Sequence, residues 1–210
     1  MSLVPAIRTP LTPAQALGAL QEALPSSFTR AGLDMVAAQS AVETARWTEM
    51  YGWNFGNVTP TAAQVAAGVD YFQHASTGSM RYRAYPDPVA GARAMTGWLE
   101  SHGAYDAAQA GDLAGYMAAL QAGSYLGTVG LTDGSGHTVS QADYTNYQND
   151  IAVIMNELAA VTPERPPSGW SWLVWLGGLV GGGAALAAWK WDVVGPYVSP
   201  WLRAARKWIA

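Results

Sequence analysis

Gly32-Leu-Asp-Met-Val-Ala-Ala-Gln-Ser-Ala-Val-Glu-Thr-Ala-Arg-Trp-Thr-Glu-Met50 is the stretch on which the fold turns. Val36, Ser40, Glu43 and Trp47 fall on one stripe at spacings of three and four, which predicts a helix from about Gly32 to Met50. A carboxylate on the apolar face of a helix is unusual. Apolar surroundings disfavour its charge and raise its pKa. A glutamate held protonated near neutrality can give a proton to a leaving oxygen. Glu43 is therefore the candidate general acid. The residues alone equally permit a buried structural glutamate. Glu49 lies well round the helix, three residues from Arg46, and reads as a solvated ion-pair partner.

The segment that follows, Tyr51-Gly-Trp-Asn-Phe-Gly-Asn57, breaks the helical pattern and reads as a structured loop. Tyr51, Trp53 and Phe55 offer flat faces for sugar rings, and Asn54 and Asn57 offer amides for hydroxyl and N-acetyl groups. Before the helix, Thr12 and Pro13 start another that Pro25 stops. After the loop, Thr61 to Phe72 reads as helical and Met80 to Tyr85 as a short strand. Asp87-Pro88 caps a helix that ends near Gly103. Asp112 to Gln121 is a further helix, closed by Gly123. Ser140 and Asp143 form a capping box for a long helix to about Val161. Thr162 to Gly169, with three prolines, reads as a linker. The expected fold class is mostly α with a small β lobe.

The chain has 210 residues, half of them hydrophobic and only 12% charged. It has no cysteine, which removes disulfides and thiolate metal sites. His74, His102 and His137 stand at no metal-ligand spacing, and Asp133-Gly-Ser-Gly-His137 reads as a turn. No P-loop, dinucleotide fingerprint or GxSxG elbow occurs, so no cofactor and no metal is expected. Residues 1–168 carry 14 acids and 7 bases, a balance of −7, while 169–210 carry one acid and four bases. The acidic part argues against nucleic acid as a partner. The basic end suits an anionic bilayer surface.

Most of the ten tryptophans lie at or beyond Trp170. Trp170 to Trp189 runs about twenty residues without a charge, enough to cross a bilayer core of roughly 30 Å. Trp170, Trp172 and Trp175 at one end, with Trp189 and Trp191 at the other, resemble interfacial belts. The expectation is a transmembrane helix over 170–191. Gly177/Gly181 and Gly178/Gly182 stand at GxxxG spacing and suggest self-association within the bilayer. Residues 192–210 form a basic amphipathic tail, with Trp201, Leu202, Ala205, Trp208 and Ile209 opposite Arg203, Arg206 and Lys207. That basic end is expected on the cytoplasmic or equivalent side. Met1 to Pro13 lacks an apolar run and does not read as a signal peptide.

Three runs resemble one family: Ala38-Gln-Ser-Ala-Val-Glu-Thr44, Trp53-Asn-Phe-Gly-Asn57 and Arg81-Tyr-Arg-Ala-Tyr-Pro86. They are similar to the Q-x-x-x-E-[ST] helix end, the N-x-F-G loop and the F-R-x-Y strand of the bacterial N-acetylglucosaminidases, the autolysins and flagellar muramidases. Ala122-Gly-Ser-Tyr125 and the run from Tyr147 to Ile154 are similar to that family's closing part. The likeness spans about residues 30–158. It implies a lysozyme-like domain over 1–161, with Glu43 as catalytic acid and Asn54, Phe55 and Gly56 as the loop beneath the cleft. It places Tyr85, Tyr125 and Tyr147 near the substrate.

Several family members carry a second acid before the strand. Here Asp70 is the one acid between Val58 and Met80, so Asp70 serves or there is none. Without it, the resemblance points to a single glutamate acting as in lytic transglycosylases and leaving an anhydro product. The expected partners are peptidoglycan glycan strands and a lipid bilayer. The expected location is a virion or bacterial inner membrane, the lytic domain facing the wall, in a bacteriophage product or, as the other origin, a host cell-wall remodelling protein. A membrane structural or pore-forming protein that only grips glycan is the rival reading.

Overall fold

The computed structural model describes residues 2–73, 80–132 and 136–167. The expectations for His74, the first part of the turn at Asp133-Gly-Ser-Gly-His137, the span at 170–191 and the tail at 192–210 all lie outside the described residues. Among the described residues, no helix is long and apolar enough to cross a membrane.

The described chain is mostly helical with one small sheet. Its elements run β1 (Ser2–Leu3), α1 (Pro13–Ala23), α2 (Arg30–Glu43), α3 (Ala62–Ala66), β2 (Asp70–Phe72), β3 (Tyr82–Arg83), α4 (Pro88–Ser101), α5 (Tyr105–Ala110), α6 (Leu113–Ala122) and α7 (Gln141–Leu158). The sheet order is β1-β2-β3, with β1 parallel to β2 and β2 antiparallel to β3. Helix starts follow local chemistry. Thr12 and Gln15 close a capping box on α1, and Ser140 and Asp143 close one on α7. Asp87 caps α4 with Pro88 in its first turn, and Asp112 caps α6.

Helix α2 is the central element. Gly32 to Val42 are all buried. It packs along α7 and against α1 and α5. Its two ends meet opposite ends of α7: Arg30 Nη2 donates to Leu158 O and Val161 O at 2.7 and 2.8 Å, while Glu43 meets Tyr147. The helices are thus antiparallel, and the acid is set between the end of one and the first half of the other.

Three expectations need correction. The helix predicted to reach Met50 stops at Glu43. Ala45, Arg46 and Trp47 follow with φ of 48°, 57° and 59°, a left-handed turn. Thr44 Oγ1 accepts from Trp47 N at 3.1 Å, and Trp47 Nε1 donates to Ser40 Oγ at 3.0 Å. Trp47 still reaches the core, but by a different path.

The stretch predicted as one helix from Thr61 to Phe72 splits into α3 and β2. Strand pairing with residues 2–3 and 82–83 overrides its helical composition.

The linker predicted from Thr162 begins attached to the domain. Glu164 N donates to Ala14 O at 2.9 Å, and Glu164 O lies 1.7 Å from where a Cβ on Gly18 would stand. The folded unit therefore extends past Val161 to at least Glu164.

Candidate active site

Glu43 closes α2 and is half-buried. Its Oε1 accepts from Tyr147 OH at 2.8 Å. Asn57 Nδ2 donates to Glu43 O at 2.9 Å and stands 3.4 Å from Oε2. The nearby Tyr125 hydroxyl also favours the charged carboxyl. Burial raises the Glu43 pKa above 4.5, and the donors from Tyr147, Tyr125 and Asn57 oppose that rise without cancelling it. The tyrosines themselves are neutral donors: burial, and then the nearby Glu43 charge, push both hydroxyls well above their ordinary range. Oε1 is engaged by Tyr147 while the Oε2 contact with Asn57 is long, so Oε2 is the freer oxygen to carry an acidic proton.

A row of rings leads away from the carboxyl. Tyr147 lies 5.9 Å from Tyr125, Tyr125 lies 5.0 Å from Trp98, and Trp98 stacks on His102 at 3.9 Å, all between ring centroids. Trp98 belongs to none of the motifs legible in the sequence. His102 is thus a packed histidine. His137 Nε2 stands 3.1 Å from Asp143 Oδ2 beside the α7 cap.

The expected loop residues divide. Asn57 does hold the acid, from a backbone with φ of 51°. Asn54 does not face a ligand. It is 1% exposed, its Nδ2 donates to Val58 O and Arg83 O at 2.9 and 3.0 Å, and its Oδ1 accepts from Val58 N at 2.8 Å. An amide whose hydrogen bonds are all internal has none left for a sugar. Phe55 is fully buried in the core and Trp53 nearly so, which removes both as stacking faces. Gly56 packs beside Met95. Asn54 and Phe55 are therefore the foundation of the loop. Tyr51 stays half-buried.

Tyr85 is half-buried, its amide bonded to Gly52 O at 2.9 Å. Its hydroxyl has no hydrogen-bond partner among the described residues, and burial pushes it up to about 12. Arg83 lies over its ring at 5.0 Å. Asp70 is exposed at the start of β2 and makes no hydrogen bond to the Glu43 cluster. Among the described residues, no three His, Asp or Glu side chains converge as a metal site would need.

Glu49 is an exposed ion-pair partner, but of Arg8 rather than Arg46. Arg46 instead grips Glu157 on α7 through both nitrogens. Asp150, one turn after Tyr147, is raised by burial to about 6 from 3.8, with Arg46 opposing. Its folded pKa exceeds its unfolded one, so the stability it contributes is present below pH 3.8 and is lost as pH rises through about 6. Asp150→Asn should flatten the fall in melting temperature across that window. An unaltered slope would show that Asp150 is not its source.

No protein-family model, curated protein or solved structure matches the chain.

Proposed function

We propose that the chain cleaves β-1,4 bonds in peptidoglycan glycan strands, with Glu43 as general acid, on a lysozyme-like domain whose motifs resemble those of the bacterial N-acetylglucosaminidases. One observation carries the reading. A half-buried carboxyl with a raised pKa is held by Tyr147 and Asn57, at the point where helix α2 gives way to a loop. The resemblance of the Glu43, Asn54–Gly56 and Arg83–Tyr85 segments to that family adds the substrate class. Attachment to a bilayer through residues 170–191 belongs to the same proposal.

In this chemistry Oε2 gives its proton to the glycosidic oxygen, whose bond to C1 breaks. Two routes then complete the cut. In hydrolysis, water attacks C1. In the second route, the ionised Glu43 takes the proton of the muramic 6-hydroxyl, whose oxygen bonds C1 and gives an anhydro sugar. The surroundings of Glu43 favour the second route. Among the described residues, the groups that hydrogen-bond Glu43 are Tyr147 and Asn57 and not a second carboxyl, and Asp70 sits exposed on β2. A retaining or inverting pair needs a second carboxyl at a set distance.

Digesting purified sacculi with the full chain and weighing the released muropeptides tests both statements. Anhydro-muropeptides are expected. Products carrying the added water would move the assignment to hydrolysis. Sacculi that bind the protein but release nothing would favour the rival reading of a glycan-gripping structural protein.

A further inference from the structure

Asn57 turns one end of its amide to Glu43 and leaves the other end free. Its Nδ2 donates to Glu43 O at 2.9 Å and stands 3.4 Å from Oε2. A backbone carbonyl can only accept, so the atom facing it is the amide nitrogen, and the orientation of the group is fixed. Oδ1, bonded to the same carbon, is left pointing away from the Glu43 backbone. Among the described residues Oδ1 has no hydrogen-bond partner. Nor is it one of the enclosed polar atoms that lack one, which are Arg83 Nε and Tyr85 OH. Tyr147 holds Oε1, so this open acceptor lies at the Oε2 end of the carboxyl.

Asn54, three residues earlier, is the contrast, since its nitrogen and its oxygen are both bonded within the protein. The backbone at Asn57 is left-handed, with φ of 51°. Asparagine is among the few residues with a side chain that take this conformation readily. Glycine would turn the chain as well, but it would carry neither the donor that reaches Glu43 nor the free oxygen.

The proton on Oε2 is aimed at the glycosidic oxygen, so Oδ1 meets the sugars beside that bond. It can accept and cannot donate. On a muramic sugar whose C1 bond breaks, few donors remain. O4 carries the neighbouring sugar, O3 carries the lactyl ether, and the 6-hydroxyl is the attacking group in the anhydro route. The acetamido N–H on C2, next to C1, is left. We propose that Asn57 is a substrate-binding residue whose Oδ1 accepts the acetamido N–H of the sugar cut at C1. One rigid amide then links the acid to the N-acetyl group and sets the distance between the proton and its target. This assignment rests on the glycan reading of Glu43 and adds the part of the sugar that is recognised.

The experiment compares initial rates of the full chain on purified sacculi and on the same sacculi after chemical de-N-acetylation, which turns the acetamide into an ammonium. The readout is the ratio of the two rates within one variant, so a loss that comes from folding or from Glu43 alone cancels. Asn57→Asp keeps an acceptor in place and gives it a charge. A hydrogen bond between charged partners exceeds a neutral one by enough to change a rate about tenfold. The ratio of de-N-acetylated to acetylated cleavage should therefore rise about tenfold over the wild type. Asn57→Gly suits the left-handed backbone and removes the acceptor. It should cleave acetylated sacculi at about a tenth of the wild-type rate or less, one hydrogen bond being worth roughly that factor. An Asn57→Asp ratio equal to that of the wild type overturns the proposal, because a merely structural residue lowers both rates together. An Asn57→Gly rate equal to that of the wild type overturns it as well. The two readings fail differently. Wild-type protein that cleaves neither form removes the glycan reading and this contact with it, whereas wild-type cleavage with an unmoved ratio removes the contact alone.

Discussion

Glu43→Gln should lower the rate of glycan cleavage by about two to four orders of magnitude, the usual contribution of a positioned acid. Substrate binding should be little changed, because the amide keeps the shape and still offers an oxygen to Tyr147. Stability gives a second, independent readout. The folded pKa of Glu43 lies above 4.5, so the stability linked to its proton is lost as pH rises through that folded value. Wherever Glu43 ionises, the wild type carries a desolvated carboxylate that the variant lacks. The variant should melt no lower than the wild type at pH 7, although it is nearly inert. Such a pairing is the signature of a group kept for chemistry at the expense of stability. Glu49→Gln should leave cleavage near wild type, since its carboxylate pairs with the exposed Arg8. Cleavage of sacculi by Glu43→Gln at the wild-type rate would remove the acid from the proposal.

What the sequence made legible was whatever depends on neighbours in the chain. Thr12, Asp87 and Ser140 each cap the helix expected of them, because a cap is a bond between residues three apart. What it hid depends on distant partners. Thr61 to Phe72 has helical composition, yet β2 forms because Ser2–Leu3 and Tyr82–Arg83 lie alongside. The site divides in the same way. Glu43 was visible as a charge on an apolar stripe, and Tyr125 and Tyr147 as members of a motif. The inward turn of Asn54 and Phe55 was not visible, because a loop's side chains choose between core and solvent by tertiary packing. Gln39 also left a signal. It is an amide one turn from the acid, within a run whose residues are all buried. A buried amide needs polar partners, and those had to come from another element: the Tyr116 hydroxyl of α6 donates to its Oε1.

Trp47→Ala should be the most damaging single truncation in the described fold, by about 3–5 kcal/mol. Trp47 is the largest fully buried side chain, and its indole N–H holds Ser40 Oγ, which would be orphaned. For a domain of this size the melting temperature should fall on the order of 10 °C. Comparison with Trp47→Gly is more telling. In a helix that continued to Met50, glycine would be worse than alanine by about 1 kcal/mol. At φ of 59° the order reverses, because a left-handed residue with a Cβ costs roughly 1–2 kcal/mol and glycine does not bear that cost. Trp47→Gly should therefore be at least as stable as Trp47→Ala by thermal melting. The opposite order would restore the continuous helix. It would also undo the geometry of the acid, because Glu43 is the last helical residue only while the chain reverses at Ala45. That reversal lets Asn57 reach the carbonyl of Glu43, which a continuing helix would have bonded to Trp47 N. The strain held at Ala45, Arg46 and Trp47 is thus the condition for placing a carboxyl at a helix end with one oxygen left for a proton.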